Sequence, residues 1–464
     1  MDILTNDLHK LLQLKSGVNR LTLTDYRNYA SLRIDSHIGP IVIFGENGSG
    51  KTNILEALSF LSPGRGMRSA RLSDIKRFIP QIAASGSLSF VTPLNWAVAA
   101  EITNRDNSHL LATAVEKTTK EVEDSEGNRS FERRIAKIDG NKISNQNELG
   151  KYISLIWLTP QMDRLFRGGS QPRRAFLDRM VYAFDNDHAK RVTDFEHLYR
   201  EWYRLIKDGK NDNYWLESLE ENMAALGVAI AAARREQISR LNSFIEKEPD
   251  DVFPSVQVEL DGTIERYLDD YPAVKVEENY CNLLKSQRRF ALDNGSVDGI
   301  NRTDFKVYHK KKAMPAEMCS TGEQKSLLVS IILAQSKCQT LHKGFAPVLL
   351  LDEIAAHLDD GKRKALLSKI VDLNLQAWIT TTNPELFSDI ADSAQFFEIK
   401  HNSAYQHQEN ITQLPDSRQI AFKIIWHSVL FFVTTPSVFL LQQSFRSLKQ
   451  LSCPSLLMSK GGGL

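Results

Sequence analysis

The sequence predicts an α/β fold, a single domain interrupted by an inserted helical lobe. Three observations predict it. "IVIFGENGSGKTNILEALSFL" (41–61) reads as a short buried strand, a glycine loop and an apolar-periodic helix. "APVLLLDE" and "QAWITTT", with a helical stretch near 360–371 between them, repeat the strand–helix alternation towards the other chain end. From Gln171 to about residue 248 the spacing is helical with few breakers.

In chain order, "RLTLTDYRNYASLRI" (20–34) alternates apolar and polar residues, as a half-buried strand pair does. After the glycine loop and its helix come the strand-like runs "AASGSLSF", "WAVAAEI", "HLLATAV" and "RRIAKIDGNKI". The acidic "TTKEVEDSEGNRSF" (118–131) reads as a solvated hairpin loop. The division drawn from this is 1–170 for the first part of the α/β head and 171–300 for the mainly helical lobe. Residues 301–400 form the second part of the head, and 401–464 an extension without an assigned role.

Of the 464 residues, 42% are hydrophobic and 25% charged, as in ordinary globular chains. The net charge of +1 excludes a global field that would attract nucleic acid, so such a partner would need local basic patches. Cys281, Cys319, Cys338 and Cys453 form no CxxC pair. They fit reduced thiols in a cytoplasmic protein better than a disulfide framework or a zinc site. The charged N-terminus does not read as a signal peptide. "IIWHSVLFFVTTPSVFLLQQS" (424–444) has no Asp, Glu, Lys or Arg and is about long enough to span a bilayer. Pro436, Thr434 and Thr435 weaken that reading, and a segment packed on the body is the alternative.

"GENGSGKT", comprising Gly45, Glu46, Asn47, Gly48, Ser49, Gly50, Lys51 and Thr52, fits the phosphate-loop pattern in its strand–loop–helix context. The glycines let backbone N–H groups approach phosphate oxygens, and the helix adds its N-terminal partial positive charge. Lys51 should reach the β- and γ-phosphates of ATP, and the Thr52 hydroxyl should ligate Mg²⁺. "PVLLLDE" ends a buried strand in Asp352 and Glu353. The first acid is the expected Mg²⁺ partner, and Glu353 the candidate general base that activates water. Asp359 either serves the nucleotide or caps the next helix.

"STGEQ" (Ser320, Thr321, Gly322, Glu323, Gln324) opens a further helix. Ser320 and Glu323 match a capping box, which explains them without a ligand. The same exposed N–H groups also suit a phosphate oxygen, and since the first loop already serves one ATP, a second copy of the chain would be the natural supplier. The order Lys51, Ser320, Asp352 resembles that of ABC-type P-loop ATPase heads. The long first interval departs from the transporter subunits of that group.

"LTDYRNY" (23–29), "GENGSGKTNILEA", "GRGMRS" (64–69), "WLTPQMDRLFRGGSQPRRAFLDRMV", "MPAEMCSTGEQKSLL" and "LLLDEIAAHLD" together resemble the RecF family of bacterial repair ATPases, relatives of the SMC proteins. The resemblance covers about 18–398. It implies an ATPase head with a short helical arm, ATP-dependent homodimerisation, slow Mg²⁺-dependent hydrolysis and DNA binding. It further implies sequence-independent contact with duplex DNA and single-strand/duplex junctions, and work with RecO and RecR that helps load RecA at gaps. Gln161 falls where related ATPases sense Mg²⁺ and the γ-phosphate. Two departures stand out: Ile300–Asn301 replaces a Pro-His pair, and "ITTTNPEL" offers Thr380, Thr381 or Thr382 where many ABC ATPases place a histidine.

Basic clusters occur at Arg65/Arg68/Arg71 with Lys76/Arg77, at Arg164/Arg167/Arg173/Arg174, at Lys285/Arg288/Arg289 and at Lys310–Lys312. Arg65, Arg68 and Arg71, just after the first helix, are the candidate DNA contacts. The competing readings are a nucleotide-binding subunit of an ABC transporter and an SMC-like structural DNA linker.

Overall fold

Period-two alternation builds a six-stranded antiparallel sheet. The strand Ser16–Tyr26 buries Leu21, Leu23 and Tyr26 and pairs with Tyr29–Asp35 on one side and Ala97–Asn104 on the other. Asn107–Lys120, Arg129–Ile138 and Asn141–Ile143 complete it. This computed structural model describes residues 16–407 apart from 83–87, 92, 94, 106, 121–128, 210–211, 248–251, 295–296 and 355–357. A second unit, 409–464, contains the apolar run 424–444 and lies outside the described residues. The ladder continues through Thr118↔Phe131, Thr119↔Ser130 and Lys120↔Arg129, so both ends of the expected hairpin loop are strand. β-branched Thr118 and Thr119 favour extension.

Buried apolar runs build the second sheet. Its order is Leu155–Leu158, Val348–Asp352, Ala377–Thr381, Pro40–Phe44, Gln395–Lys400 and Ser403–His407. The first five strands are parallel and the sixth is antiparallel. Continuous burial, as in Val348–Asp352, reflects cover on both faces. An early strand, Pro40–Phe44, lies between two late ones, so the two ends of the chain share one sheet. Parallel register also gathers the carboxyl ends of these strands along one edge, where such sheets bind ligands.

The helix Lys51–Ser59 packs against Val348–Asp352, Ala377–Thr381 and Ser16–Tyr26. Glu56, fully buried on that helix, accepts two bonds from the Arg27 guanidinium at 2.8 and 2.6 Å. Arg134 fixes the segment that follows. It donates to Thr113 Oγ1 at 2.8 Å, to the Gly64 and Ser62 carbonyls at 2.6 and 3.2 Å, and to the Phe60 carbonyl, with its charge 5.1 Å from the Phe60 ring centre. Burial pushes its pKa down to about 10.

The lobe contains Ser170–Val181, His188–Lys207, Asn213–Lys247, Thr263–Asp270, Ala273–Ser286 and Arg288–Asn294 around Trp202, Met223 and Tyr280. It also holds a strand, Val256–Asp261, which pairs with Asp304–His309. Buried Asp178 is held by Arg234 at 2.8 and 2.9 Å and by His188 at 2.8 Å. Arg234 also donates to the Ile300 carbonyl at 2.8 Å, so the departing Ile300–Asn301 turn acts here through its backbone. Among the described residues no helix is long and apolar enough to cross a membrane. Arg134→Met should destabilise the protein by about 3 kcal/mol, because it strands buried carbonyls; a lowered urea midpoint would register it.

Candidate nucleotide-binding site

The phosphate loop leaves Phe44 at the carboxyl edge of the parallel sheet. Gly45 has φ 150°, and a Cβ there would lie 2.6 Å from the Ile399 carbonyl oxygen. Gly50 has φ 105°, and a Cβ there would lie 2.4 Å from Asn28 Nδ2. Both positions therefore require glycine. No side chain caps the Lys51 helix, which leaves its first N–H groups available to an anion. Glu46, Asn47 and Gly48 are exposed, and the buried Ser49 hydroxyl has no partner among the described residues. Lys51 Nζ donates to the Gly45 and Glu46 carbonyls at 2.8 Å each. Burial lowers its pKa, opposed by Glu353 and Asp352.

Asp352 Oδ1 accepts from Thr52 Oγ1 and from Thr380 Oγ1, each at 2.8 Å. The Thr380 hydroxyl also accepts the Glu353 N–H at 3.0 Å. Glu353 adopts φ 53°, a left-handed conformation that is uncommon outside glycine and often marks functional sites. Thr380 therefore holds both acids. Thr381 bonds within its own turn, with Asn383, and Thr382 is the exposed hydroxyl of the three. Thr52 and Asp352 are hard oxygen donors that fit Mg²⁺, a cation completed by phosphate and water rather than by a protein cage. Among the described residues there is no cluster of three or more His, Cys, Asp or Glu that could hold a metal.

The remaining predicted residues fall in three places. Exposed Gln161 lies on the turn Pro160–Arg164, just past Leu155–Leu158 on the same edge as Asp352. Asp359 is the N-cap of Asp360–Asp372 and accepts from the Lys362 N–H at 2.9 Å, as the capping alternative has it. Ser320 caps Thr321–Lys343 in a complete capping box: its hydroxyl accepts from the Glu323 N–H at 3.3 Å, and its N–H donates to Glu323 Oε2 at 2.9 Å. Ser320, Thr321 and Gly322 start the helix in the open, with Glu323 half-buried beside them, and a Cβ on Gly322 would meet nothing within 4 Å. Buried Gln324 instead donates to the Cys319 carbonyl at 2.9 Å.

Two contacts set the direction of that helix. Gln339 accepts from Ser154 at 2.7 Å, at the amino end of the edge strand, and Lys325 pairs with Asp163 at 3.0 Å, beyond the strand's carboxyl end. Ser320 is roughly 7 Å further out. The edge strand is three strand spacings, roughly 14 Å, from the strand that feeds the phosphate loop. The chain's own Ser320 thus stands clear of its own Lys51.

Sequence reasoning missed Asn28, which donates to the Ser49 carbonyl at 3.3 Å and to Asn402 Oδ1 at 2.7 Å, and accepts from Asn53 at 2.7 Å. The basic clusters are largely absorbed by the fold. Lys76 pairs with Glu132, Arg77 with Asp25, Arg173 with Asp304 and Arg288 with Glu220. Arg65, Arg68 and Arg71 are all exposed, and Arg68 donates to Asn53 Oδ1 at 3.1 Å.

A phosphate loop, an Asp–Glu strand end and a separately presented helix start on one mixed α/β frame define an ABC-type ATPase head of the SMC kind. The family described as RecF/RecN/SMC N terminal domain matches residues 17–405, and the chain belongs to the RecF family. It is similar to the DNA replication and repair protein RecF of Mesorhizobium japonicum, 41% identical over 391 residues, covering 84% of this chain and 97% of that one. The Brucella abortus protein of the same name is 41% identical over 385 residues, covering 82% and 94%. A solved structure described as the recombination mediator protein RecF-ATPrS in the RecFOR pathway shares the fold. Its TM-score is 0.70 at 20% identity, over 85% of this chain and 99% of that one.

Thr380→Val should leave ATP binding within a few-fold while slowing any hydrolysis on the order of tenfold, since it removes one of the two hydroxyls on Asp352 and the acceptor of the Glu353 N–H together. Thr380→Ser should restore turnover, measured as phosphate release.

Proposed function

We propose that this chain is an ATP-binding DNA replication and repair protein whose two copies close on nucleotide and reopen on hydrolysis. The observation that carries the reading is the separation of Ser320 from Lys51 within one chain. A helix start exposed beyond the sheet edge suits the γ-phosphate held by a second copy, and two-fold symmetry would make two such sites. Lys51 and the loop amides bind the phosphates, and Thr52 and Asp352 hold Mg²⁺. Glu353 orients and deprotonates water for in-line attack, with Gln161 sensing the phosphate from the neighbouring turn. The 171–300 lobe serves as the arm. The names of the relatives support a role at DNA, and the RecFOR pathway named for the structural neighbour supports work with RecO and RecR in loading RecA, in the cytoplasm. The same names disfavour the transporter and structural-linker readings.

Ultracentrifugation with a non-hydrolysable ATP analogue tests the dimer: a shift to two copies is expected, and persistent monomer rejects the reading. Glu353→Gln should keep ATP affinity, hold the dimer closed and slow turnover on the order of a hundredfold; fast monomerisation in ATP would remove Glu353 as the base. DNA is gripped through phosphates by Arg65, Arg68 and Arg71. Their joint replacement by alanine should weaken duplex binding and reduce its salt slope by up to about three, read from titrations at several salt concentrations.

A further inference from the structure

A half-open cavity, whose roughly 550 Å³ of empty space includes open solvent, lies between the edge strand, the Thr321–Lys343 helix and the end of Ser170–Val181. Its lining includes Ser154, at the amino end of the edge strand, whereas the nucleotide site occupies the carboxyl edge. Its lining is mostly apolar and includes Trp157 and Phe176, two cations, Arg179 and Lys343, and no Asp or Glu. The Arg179 guanidinium lies 4.4 Å from the Trp157 ring centre and 5.5 Å from that of Phe176. Among the described residues it makes no hydrogen bond or ion pair. Its sequence neighbour Asp178 offers it nothing, because both carboxylate oxygens are bonded to Arg234, and one of them to His188 as well. Lys343 Nζ makes one hydrogen bond among the described residues, to the Gly150 carbonyl at 2.7 Å.

Both cations are half-buried, and the lining offers them no counter-charge. Partial burial pushes Arg179 down to about 10 and Lys343 down to about 8. An aromatic floor under a guanidinium leaves its planar fork of donors free for bidentate pairing. We propose that this cavity binds a small organic carboxylate: the carboxylate takes the Arg179 fork within reach of Lys343, and an apolar body lies against Trp157 and Phe176. The lining distinguishes this ligand from a bare inorganic anion, whose hydration the apolar walls would not replace. The assignment stands independently of the nucleotide reading.

Calorimetry on the full chain tests it with three probes: benzoate, neutral benzamide and inorganic phosphate. Benzoate should bind saturably, and benzamide and phosphate should each bind weaker by on the order of tenfold or more. Arg179→Met should weaken benzoate by a similar factor while leaving ATP binding intact, and Lys51→Ala should leave benzoate binding unchanged. If Arg179→Met does not fold, the ratio of benzoate to benzamide on the unaltered protein decides. Equal binding of benzoate and benzamide, phosphate as tight as benzoate, or no saturable benzoate signal overturns the proposal. A loss of benzoate binding in Lys51→Ala would also overturn it, by moving the anion to the phosphate loop.

Discussion

One oxygen of Asp352 accepts hydrogen bonds from Thr52 and Thr380, and so ties together three segments that are far apart in the chain. Each belongs to a different strand end or helix start, and they meet because Val348–Asp352 and Ala377–Thr381 pair in parallel and Pro40–Phe44 joins them. The site therefore exists only after the late strands have flanked the early one. Pairings of this length are slow to close. Thr380 adds a second constraint by accepting the Glu353 N–H, which holds that residue in a left-handed conformation. Carboxylate position and backbone strain thus depend on the same hydroxyl.

The local parts of this arrangement were legible in the sequence. Gly45 to Thr52, the Asp352–Glu353 strand end and the Ser320 helix start each carry their chemistry within a few residues, so motif and periodicity suffice. Asn28, Thr380 and the Asp163–Lys325 pair act across long separations, and nothing local marks them. The same limit made the basic clusters look freer than they are. Arg77, Arg173 and Arg288 each meet a carboxylate from another part of the chain. Composition records the charge and is blind to the partner. At Thr118–Lys120 the error ran the other way: a polar run was read as a loop, although backbone pairing does not depend on side-chain polarity.

Arg27 and Arg134 show how the phosphate loop is kept rigid without using the loop's own residues. Arg27 holds Glu56 on the helix that follows the loop, and Arg134 holds the carbonyls beyond that helix. Arg134 comes from a strand of the antiparallel sheet and Arg27 from the turn joining two of its strands, so that sheet braces the nucleotide site. An Arg fork satisfies several oxygens at once with little further loss of freedom, which suits this task better than a lysine would.

The capping box and the proposed phosphate contact at Ser320 make demands of opposite sign on one helix start. A cap places the Glu323 carboxylate beside the N-terminal N–H groups, where its negative charge would oppose an incoming phosphate. Lys312 resolves the conflict by pairing with Glu323. That pairing, followed by the Ser320 N–H and hydroxyl, lowers the Glu323 pKa to about 2. Because the folded pKa is depressed, the cap's electrostatic contribution is complete above the ordinary carboxylate range and fades only as pH falls towards 2. At neutral pH the cap is therefore both formed and neutralised. A helix start so prepared keeps its order when no phosphate is near and offers little repulsion when one arrives, as the proposed contact between two copies requires.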